Sequence, residues 1–541
     1  MNIKEARQYA EALAGPRTLR EAEWRELSRW LIGYRGVFSG LAQDETGLRD
    51  QDLFRNIAQT ACLKAASGMT SGMTPRNVSW FRPAFTDPAL TEASGARAWL
   101  DRLDLKMKDC LARGGFYQAI QAFNLDLIWS GCALLYCERG TMELLRFECC
   151  QVGTFAIARD HENRLEAVSR RLRMTARAMA DVFGQDKLAP STRDKLAKNP
   201  HEEIDVTHLV HRARDGRYPF ASLYYEDGGE DFLRKSGFNE MPFFHTVWHE
   251  GTTPYGMGPG DECLADARQL DLLERRKLAA LGKLIDPPVI VDNANLKDAL
   301  DLAPGGINYI SNAHQIIPIF DLAPTAAALA RLPEEIATVS KRLADGLMAT
   351  VFDSIPLDQR PRDMSATEYL ERKREAMQIL GPVISAYEPD VLDPILARVL
   401  ATLDRSGNMP VIPLSLQGIK NIYMKMDFIS PMANALRQTS AEATRGLVSD
   451  VMNIMQGFGQ QEIIDKLDLD QVIDELASGI GAPGSIVRAD DDVAQIRQQR
   501  AQIQARQAQM QQAAQAMALT QQAQQIGAAQ QAMQNQSQGQ G

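Results

Sequence analysis

The chain is poor in cysteine, has no long apolar run and carries no excess of positive charge, and each shortage closes off a class of protein. Seven cysteines in 541 residues, with no CxxC pair among them, supply neither a disulfide framework nor a zinc ribbon, and they read as buried thiols in a reducing compartment. Cys149 and Cys150 are vicinal, a poor geometry for an ordinary bridge. The N-terminal MNIKEARQYAEALAG is charged and does not read as a signal peptide. The most apolar stretch, Leu127 to Cys137, is far too short to span a bilayer, so a soluble protein made in a cytosol is expected, with no membrane partner. The net charge of −10 argues against tight wrapping of DNA, which needs Lys and Arg to neutralise phosphates. It does not argue against DNA passing by, because a passage that must not grip its cargo is better lined with weak or repulsive charge. GxSxG, a kinase set and a Walker A ending are all missing, so no catalytic residues and no cofactor are expected.

What the chain does have is 45% hydrophobic and 24% charged residues, ordinary proportions for folded cores. Residues 1–60 read as helical, with Trp24 and Trp30 as anchors, and a second helical stretch ends in SGMTSGMTP, where Gly68 and Gly72 place small residues on one face and Pro75 closes the helix. Helices are expected over 93–113 and 116–135. From about Leu144 the period changes. Gln151–Arg159 and Arg164–Arg173 form a hairpin around Asp160–Asn163, Thr175 caps a short helix, and strands follow at Val206–Arg214, Ala221–Glu226 and Met241–His249. The fold class is therefore mainly α with inserted antiparallel β units.

Tyr255-Gly-Met-Gly-Pro-Gly260 is a glycine-punctuated elbow at Gly256, Gly258, Pro259 and Gly260, leading into a helix from Asp261 to Ile285 that Asp286-Pro-Pro288 stops. At 1.5 Å per residue that helix is about 35–40 Å long. Short strands are expected at Val289–Asp292, Ile307–Ile310 and Gln315–Phe320. A second long helix then begins at Pro333, with Leu332, Ile336, Val339, Leu343 and Leu347 on one stripe. Two long helices that leave a body and return to it, with a compact β module at the far end, make a stalk. A loop over Thr350–Asp363 carries Arg360 and Arg362 among Asp353, Asp358 and Asp363. A third helical stretch, to about Leu403, is expected to be bent or broken by Pro382, Pro389 and Pro394. In the Gln/Ala-rich tail, Ile496, Ile503, Met510 and Met517 recur every seven residues, half of a coiled-coil seam.

Two motifs invite a chemical reading. His245 and His249 share one face of a strand at i and i+4, so a metal-dependent hydrolase is one alternative, although the Glu of HExxH is missing; the expected metal ligands are none. GMGPG before a helix resembles a phosphate cradle, but the helix opens on Asp261 and Glu262, which repel phosphate.

Three segments resemble the head-to-tail connector (portal) family of short-tailed bacteriophages, the podoviruses: SGMTSGMTPRNVSWFRP, then YGMGPGDECLADARQLDLLERRKLAALGKLIDPPVIV, then DMSATEYLERKREAMQILGPVISAYEPDVLDPIL. They occur in the family's order across most of residues 50–430. The resemblance implies a homo-oligomer, a dodecameric ring around a channel for transient double-stranded DNA, with no enzymatic activity of its own. It implies a wing at 1–260 with its β unit at about 144–250, stem helices at 261–285 and 326–349, and a clip at 286–325. A tunnel loop would fall at 350–364, a second wing segment at 365–430, crown helices at 431–520 and a disordered Gln-rich tail at 521–541. Lys341, Arg342, Arg360 and Arg362 become candidate DNA-channel residues. The implied partners are the terminase large subunit, which supplies the ATPase, tail adaptor or nozzle proteins, and the major capsid and scaffolding proteins. The implied location is one capsid vertex of the virion, after assembly in the host cytoplasm. A capsid or tail-tube subunit is the other structural alternative.

Overall fold

The computed structural model describes residues 1–38, 54, 56–87, 90, 95–213, 216–286, 288–292, 301–310, 317–318, 322–354, 379–416, 424–430, 451, 471–473, 493, 496–507, 509–510 and 527. The chain divides into two compact units. Met1–Arg82, Asp104–Met409 and Met426–Ile454 form the first, and Pro83–Leu103, Pro410–Lys425 and Met455–Gly541 the second. Within the second, Phe85 stacks on Trp99 at 5.9 Å, and the Trp99 indole N–H donates to the Pro410 carbonyl at 3.1 Å.

Helix α1 (Ile3–Leu27) starts on a capping box in which the Asn2 side chain accepts from the Glu5 N–H while Glu5 accepts from the Asn2 N–H. It does not continue to residue 60. A π turn at Ser28–Ile32 ends it, closed by Gly33 at φ 79°. Trp24 is fully buried and donates to the Ser130 carbonyl at 3.0 Å. Beyond the turn, Arg35 makes two bonds, at 2.6 and 2.5 Å, to the buried carboxylate of Asp126. Helix α2 (Asn56–Met73) packs by its small residues, as its sequence suggests: a Cβ on Gly68 would lie 2.3 Å from the Phe352 Cβ. Then come β1 (Phe81–Phe85), α3 (Ala96–Arg113) and α4 (Phe116–Ser130).

Helix α4 stops five residues earlier than its composition suggests. Gly131 caps it at φ 81°, and Cys132–Glu138 is strand β2. This strand is buried along nearly its whole length, and a continuous apolar run on both faces carries no period to separate strand from helix. Strands β3 (Arg146–Cys150), β4 (Phe155–Arg159) and β5 (Leu165–Thr175) follow, then α5 (Ala176–Phe183), capped by Thr175, and α6 (Pro190–Lys198). Strands β6 (Glu203–Arg212), β7 (Phe220–Glu226), β8 (Phe232–Phe238) and β9 (Phe243–Val247) complete the β unit. The order β4-β5-β6-β7-β8 makes a five-stranded antiparallel sheet, and β3-β2-β9 a three-stranded one. Asp227–Gly229, which the sequence offers as the turn between the Ala221–Glu226 and Met241–His249 strands, leads instead into β8. The five-stranded sheet is covered on both faces. Ala6 and Leu13 of α1 pack on Ala167, Leu209 and Leu223, while Met179 and Phe183 of α5 pack on Val206, Tyr224 and Leu233. Burial of each large side chain contributes roughly 1.5–3 kcal/mol.

Helix α7 (Pro259–Ile285) leaves this body, and β10 (Val289–Asp292), β11 (Ile307–Ile310) and β12 (Ile317–Pro318) form a small sheet in the order β11-β10-β12, with β10 and β11 parallel. Helix α8 (Leu322–Gly346) returns and packs along α7. It begins well before Pro333, which lies inside it and not at its start. Ile336, Val339, Leu343 and Leu347 are buried as their spacing predicts. After a kink at Met348 (φ 61°), helix α9 (Ala349–Ser354) occupies the first part of the expected loop; positions 355–378, with Arg360 and Arg362, lie outside the described residues. Residues 379–387 are helical, a π segment spans Glu388–Leu392 at Pro389, and α10 (Asp393–Arg405) continues, so the prolines do not break the helical path. Strand β13 (Met424–Phe428) follows. Most of 431–541, including Met517, lies outside the described residues; within the expected crown span, residues 496–507 are helical. No described helix is long and apolar enough to cross a membrane.

Candidate functional site

The feature that stands apart from ordinary packing is the α7–α8 pair and the elbow that aims it. The elbow works by close backbone approach. Tyr255 is fully buried, its ring edge-on to Trp24 at 5.1 Å and its hydroxyl accepting from the Ile157 N–H at 3.2 Å. His249 and Met257 exchange backbone hydrogen bonds of 2.9 Å. Gly256 has φ 61°, and a Cβ there would meet the His249 carbonyl at 2.3 Å. A Cβ on Gly258 would lie 2.5 Å from the Gly131 Cα, and one on Gly260 2.2 Å from the Trp129 carbonyl. Glycine is required at these positions because three backbones meet with no room for side chains. Pro259 supplies the first helical residue, where its missing N–H costs nothing.

Asp261 then locks the start of α7. One carboxylate oxygen accepts from the Gly258 N–H at 2.8 Å and from the Arg20 guanidinium at 2.6 Å. The helix N-terminus is therefore already satisfied by an internal carboxylate, which argues against the phosphate-cradle reading.

Helix α7, about 40 Å long, has one stripe at heptad-like spacing: Cys263, Ala267, Leu270, Glu274, Leu278, Leu281, Ile285. Its first half is buried. Cys263 meets α8 so closely that a Cβ on Gly346 would lie 2.5 Å from its sulfur, and burial pushes the Cys263 thiol up to about 12. In the second half the stripe surfaces, with Leu278 at 50% and Ile285 at 82% exposure. At the far end Ile307 of β11 and Leu302 beside it are exposed as well. Half a helix face that stays apolar after it leaves the core marks a surface built to be covered.

The four basic candidates have different surroundings. Arg342 reaches across to α7, bonding Asp266 at 2.5 and 3.0 Å and Gln269 at 3.1 Å. It ties the two helices together and is already paired. Lys341 is exposed and has no carboxylate within 4.0 Å among the described residues. Arg360 and Arg362 lie outside the described residues. The stripe of α7, apolar except for Glu274, was not singled out from the sequence, although its 4-3-4-4-3-4 spacing is legible there.

The two histidines do not come together as a ligand pair. His245 is buried with its Nδ1 2.9 Å from the Arg159 guanidinium, while His249 is exposed. A metal cation at His245 would face that positive charge. Among the described residues no group of three His, Cys, Asp or Glu side chains is arranged to hold a metal.

Burial, then Arg159, holds the His245 pKa well below its ordinary value near 6.5; burial, then Arg170 and Arg234, does the same at His208. Both rings stay neutral in the fold but take up protons below pH 6.5 once unfolded. Their stabilisation is complete above that pH and is lost as the pH falls below it, at up to about 1.4 kcal/mol per pH unit for each ring. Burial raises the Asp390 and Asp393 carboxyls, which acts in the opposite sense but near the carboxylate range. Urea midpoints measured at about pH 7.5 and pH 5.5 are expected to fall on acidification, and the double variant His208→Gln, His245→Gln to flatten the slope. An unchanged or rising midpoint in the unmodified protein would contradict these environments.

Comparison with known proteins adds an independent line. The family model described as "Bacteriophage head to tail connecting protein" matches residues 3–487. The chain is 26% identical over 500 residues to the "Probable portal protein" of Bordetella phage BPP-1, covering 90% of this chain and 89% of that protein. It is 26% identical over 528 residues to the "Portal protein" of Salmonella phage epsilon15, covering 94% and 91%.

Proposed function

The chain belongs to the bacteriophage head-to-tail connecting protein family, and from that premise we propose that it is the portal subunit of a closed ring through which the phage genome enters and leaves the head. A structural, non-enzymatic role fits the sequence, which has no catalytic motif. The match across residues 3–487 favours the connector over a capsid or tail-tube subunit.

The observation that carries the reading is the α7–α8 pair with a three-stranded module between its helices. In the proposed assembly these helices are the stem, β10–β12 belong to the clip, the body before α7 together with residues 365–430 is the wing, and residues 431–520 form the crown. A dodecamer is proposed, with the apolar stripe at Leu278, Leu281 and Ile285 covered by the neighbouring copy. DNA then passes a wall of weak, repeated charge. Lys341 is proposed to face that passage, whereas Arg342 serves through its bond to Asp266. The loop carrying Arg360 and Arg362 is proposed to touch phosphate transiently and hinder return of the DNA. The clip would meet the terminase during filling and tail adaptor or nozzle proteins afterwards, at one capsid vertex assembled with capsid and scaffolding proteins in the host cytoplasm.

Negative-stain electron microscopy of the purified full chain tests the reading. Closed rings with a central hole and twelvefold symmetry are expected. Compact single particles without a hole, at concentrations where the chain is folded, would reject it.

A further inference from the structure

The five-stranded sheet aligns one transverse row of side chains. Arg170 of β5 lies opposite His208 of β6, His208 opposite Tyr224 of β7, and Tyr224 opposite Arg234 of β8. Residues directly opposite share a face, so the row ends in an arginine on each side. The His208 and Tyr224 rings stack at 3.9 Å and 6°. Arg170 donates through Nε to His208 Nδ1 at 3.0 Å, which leaves the proton on Nε2, 3.0 Å from the Ser222 hydroxyl. Arg170 lies 3.8 Å from the centre of the Tyr136 ring, and Arg234 4.8 Å from that of Tyr224. Two guanidinium groups are thus fixed by aromatic rings, with little freedom left to lose on meeting a ligand.

A cavity of about 440 Å³ opens on this row, and Arg139, Arg146 and Arg173 join the two row arginines in lining it. The acids nearby do not balance them. Glu148 is shared between Arg146 at 3.4 Å and Arg170 at 3.6 Å. Arg173 is taken by Asp205 at 3.2 Å, and Glu138 accepts from the Tyr136 hydroxyl. Among the described residues, Arg139 and Arg234 have no carboxylate within 4.0 Å. Arg234 Nε is buried with no hydrogen-bond acceptor, a deficit that an incoming acceptor would relieve. This positive excess sits in a chain whose net charge is −10. Leu172, Met174, Val182 and Phe183 add an apolar wall to the lining.

Arginines that lack acceptors select an oxyanion. The apolar wall selects one carried next to an aliphatic or aromatic group, because a bare phosphate gains nothing from Leu172 or Phe183, and a duplex is too wide to enter. We propose that this cavity is a docking site for an acidic peptide segment, whose carboxylates pair with Arg139 and Arg234 while an adjoining apolar side chain rests on the Leu172–Phe183 wall.

The test uses the intact full-length protein on an array of acidic octapeptides, each with one Leu or Phe beside Glu or Asp, printed next to a twin in which Lys replaces the acids. Acidic peptides are expected to bind and their twins not. Arg139→Ala and Arg234→Ala should each weaken binding about tenfold, and the double Lys variant should restore part of the loss, which separates lost charge from misfolding. Arg164→Ala, at an exposed arginine on the β4–β5 turn, should change nothing. The proposal is overturned if the acidic peptides bind no better than their twins, or if the Arg139 and Arg234 variants bind as well as the parent. It is equally overturned if phosphate or single-stranded DNA displaces the peptides at the concentration where free acidic peptide does, since the site would then read a bare oxyanion.

Discussion

Leu278→Asp combined with Leu281→Asp is expected to abolish ring assembly while leaving the subunit folded. In the single chain these side chains are already 50% and 36% exposed, so charging them removes little internal packing. In the ring they are proposed to be covered, and the loss combines apolar burial with the cost of placing two carboxylates in an apolar contact. Burial of the surface still exposed is on the order of 1–3 kcal/mol for the pair, before the larger penalty for an unpaired buried charge. Sedimentation velocity reads the assembly, and circular dichroism with a melting curve reads the fold. A double variant that still sediments as a ring would show that this half of α7 faces solvent in the assembly.

The second large effect is at the elbow. Gly260→Ala places a Cβ 2.2 Å from the Trp129 carbonyl and 2.9 Å from a Leu31 methyl. The methyl can move, but the carbonyl belongs to the last turn of α4 and cannot. Destabilisation on the order of 3 kcal/mol or more is expected, with loss of soluble protein as the first sign. Gly15→Ala is the contrast. It lies within α1 with nothing but its chain neighbours within 4 Å of the added methyl. Pro16, which follows, opposes the gain in helix propensity, so the change should stay within about 1 kcal/mol. Thermal melts should fall sharply for Gly260→Ala and move little for Gly15→Ala; if Gly260→Ala melts with the parent, the elbow is not built on close backbone contact.

How much of this was legible in the sequence differs from element to element. The elbow and α7 were, because glycine, proline and acidic residues each act locally: Gly258 and Pro259 start the helix and Asp286 ends it. The stripe from Ile336 to Leu347 was legible too, since one face of α8 is buried and the other is wet. The start of α8 was misread at Pro333. Proline is favoured at a first turn, but the helix here runs through it from Leu322 and gives up one backbone bond. β2 was taken for helix because burial on both faces erases its period. β8 was passed over for the opposite reason: Phe232-Leu-Arg-Lys-Ser-Gly-Phe238 is an edge strand with only Leu233 buried, so it offers no clear alternation. The Arg170–His208–Tyr224–Arg234 row was beyond reach, because it depends on the register of four strands and no local signal fixes that. Family likeness supplied what local rules could not, namely why a chain with no catalytic set should send out two long helices.

The central claim is that α7 and α8 form the wall between neighbouring copies around the hole. A cryo-electron microscopy reconstruction of the purified ring, at a resolution that separates helices, measures this directly. Density for Pro259–Ile285 and Leu322–Gly346 should surround the hole, with Leu278, Leu281 and Ile285 packed against the adjacent copy. Finding those two helices on the outer rim, with the leucines in solvent and other elements bounding the opening, would contradict it.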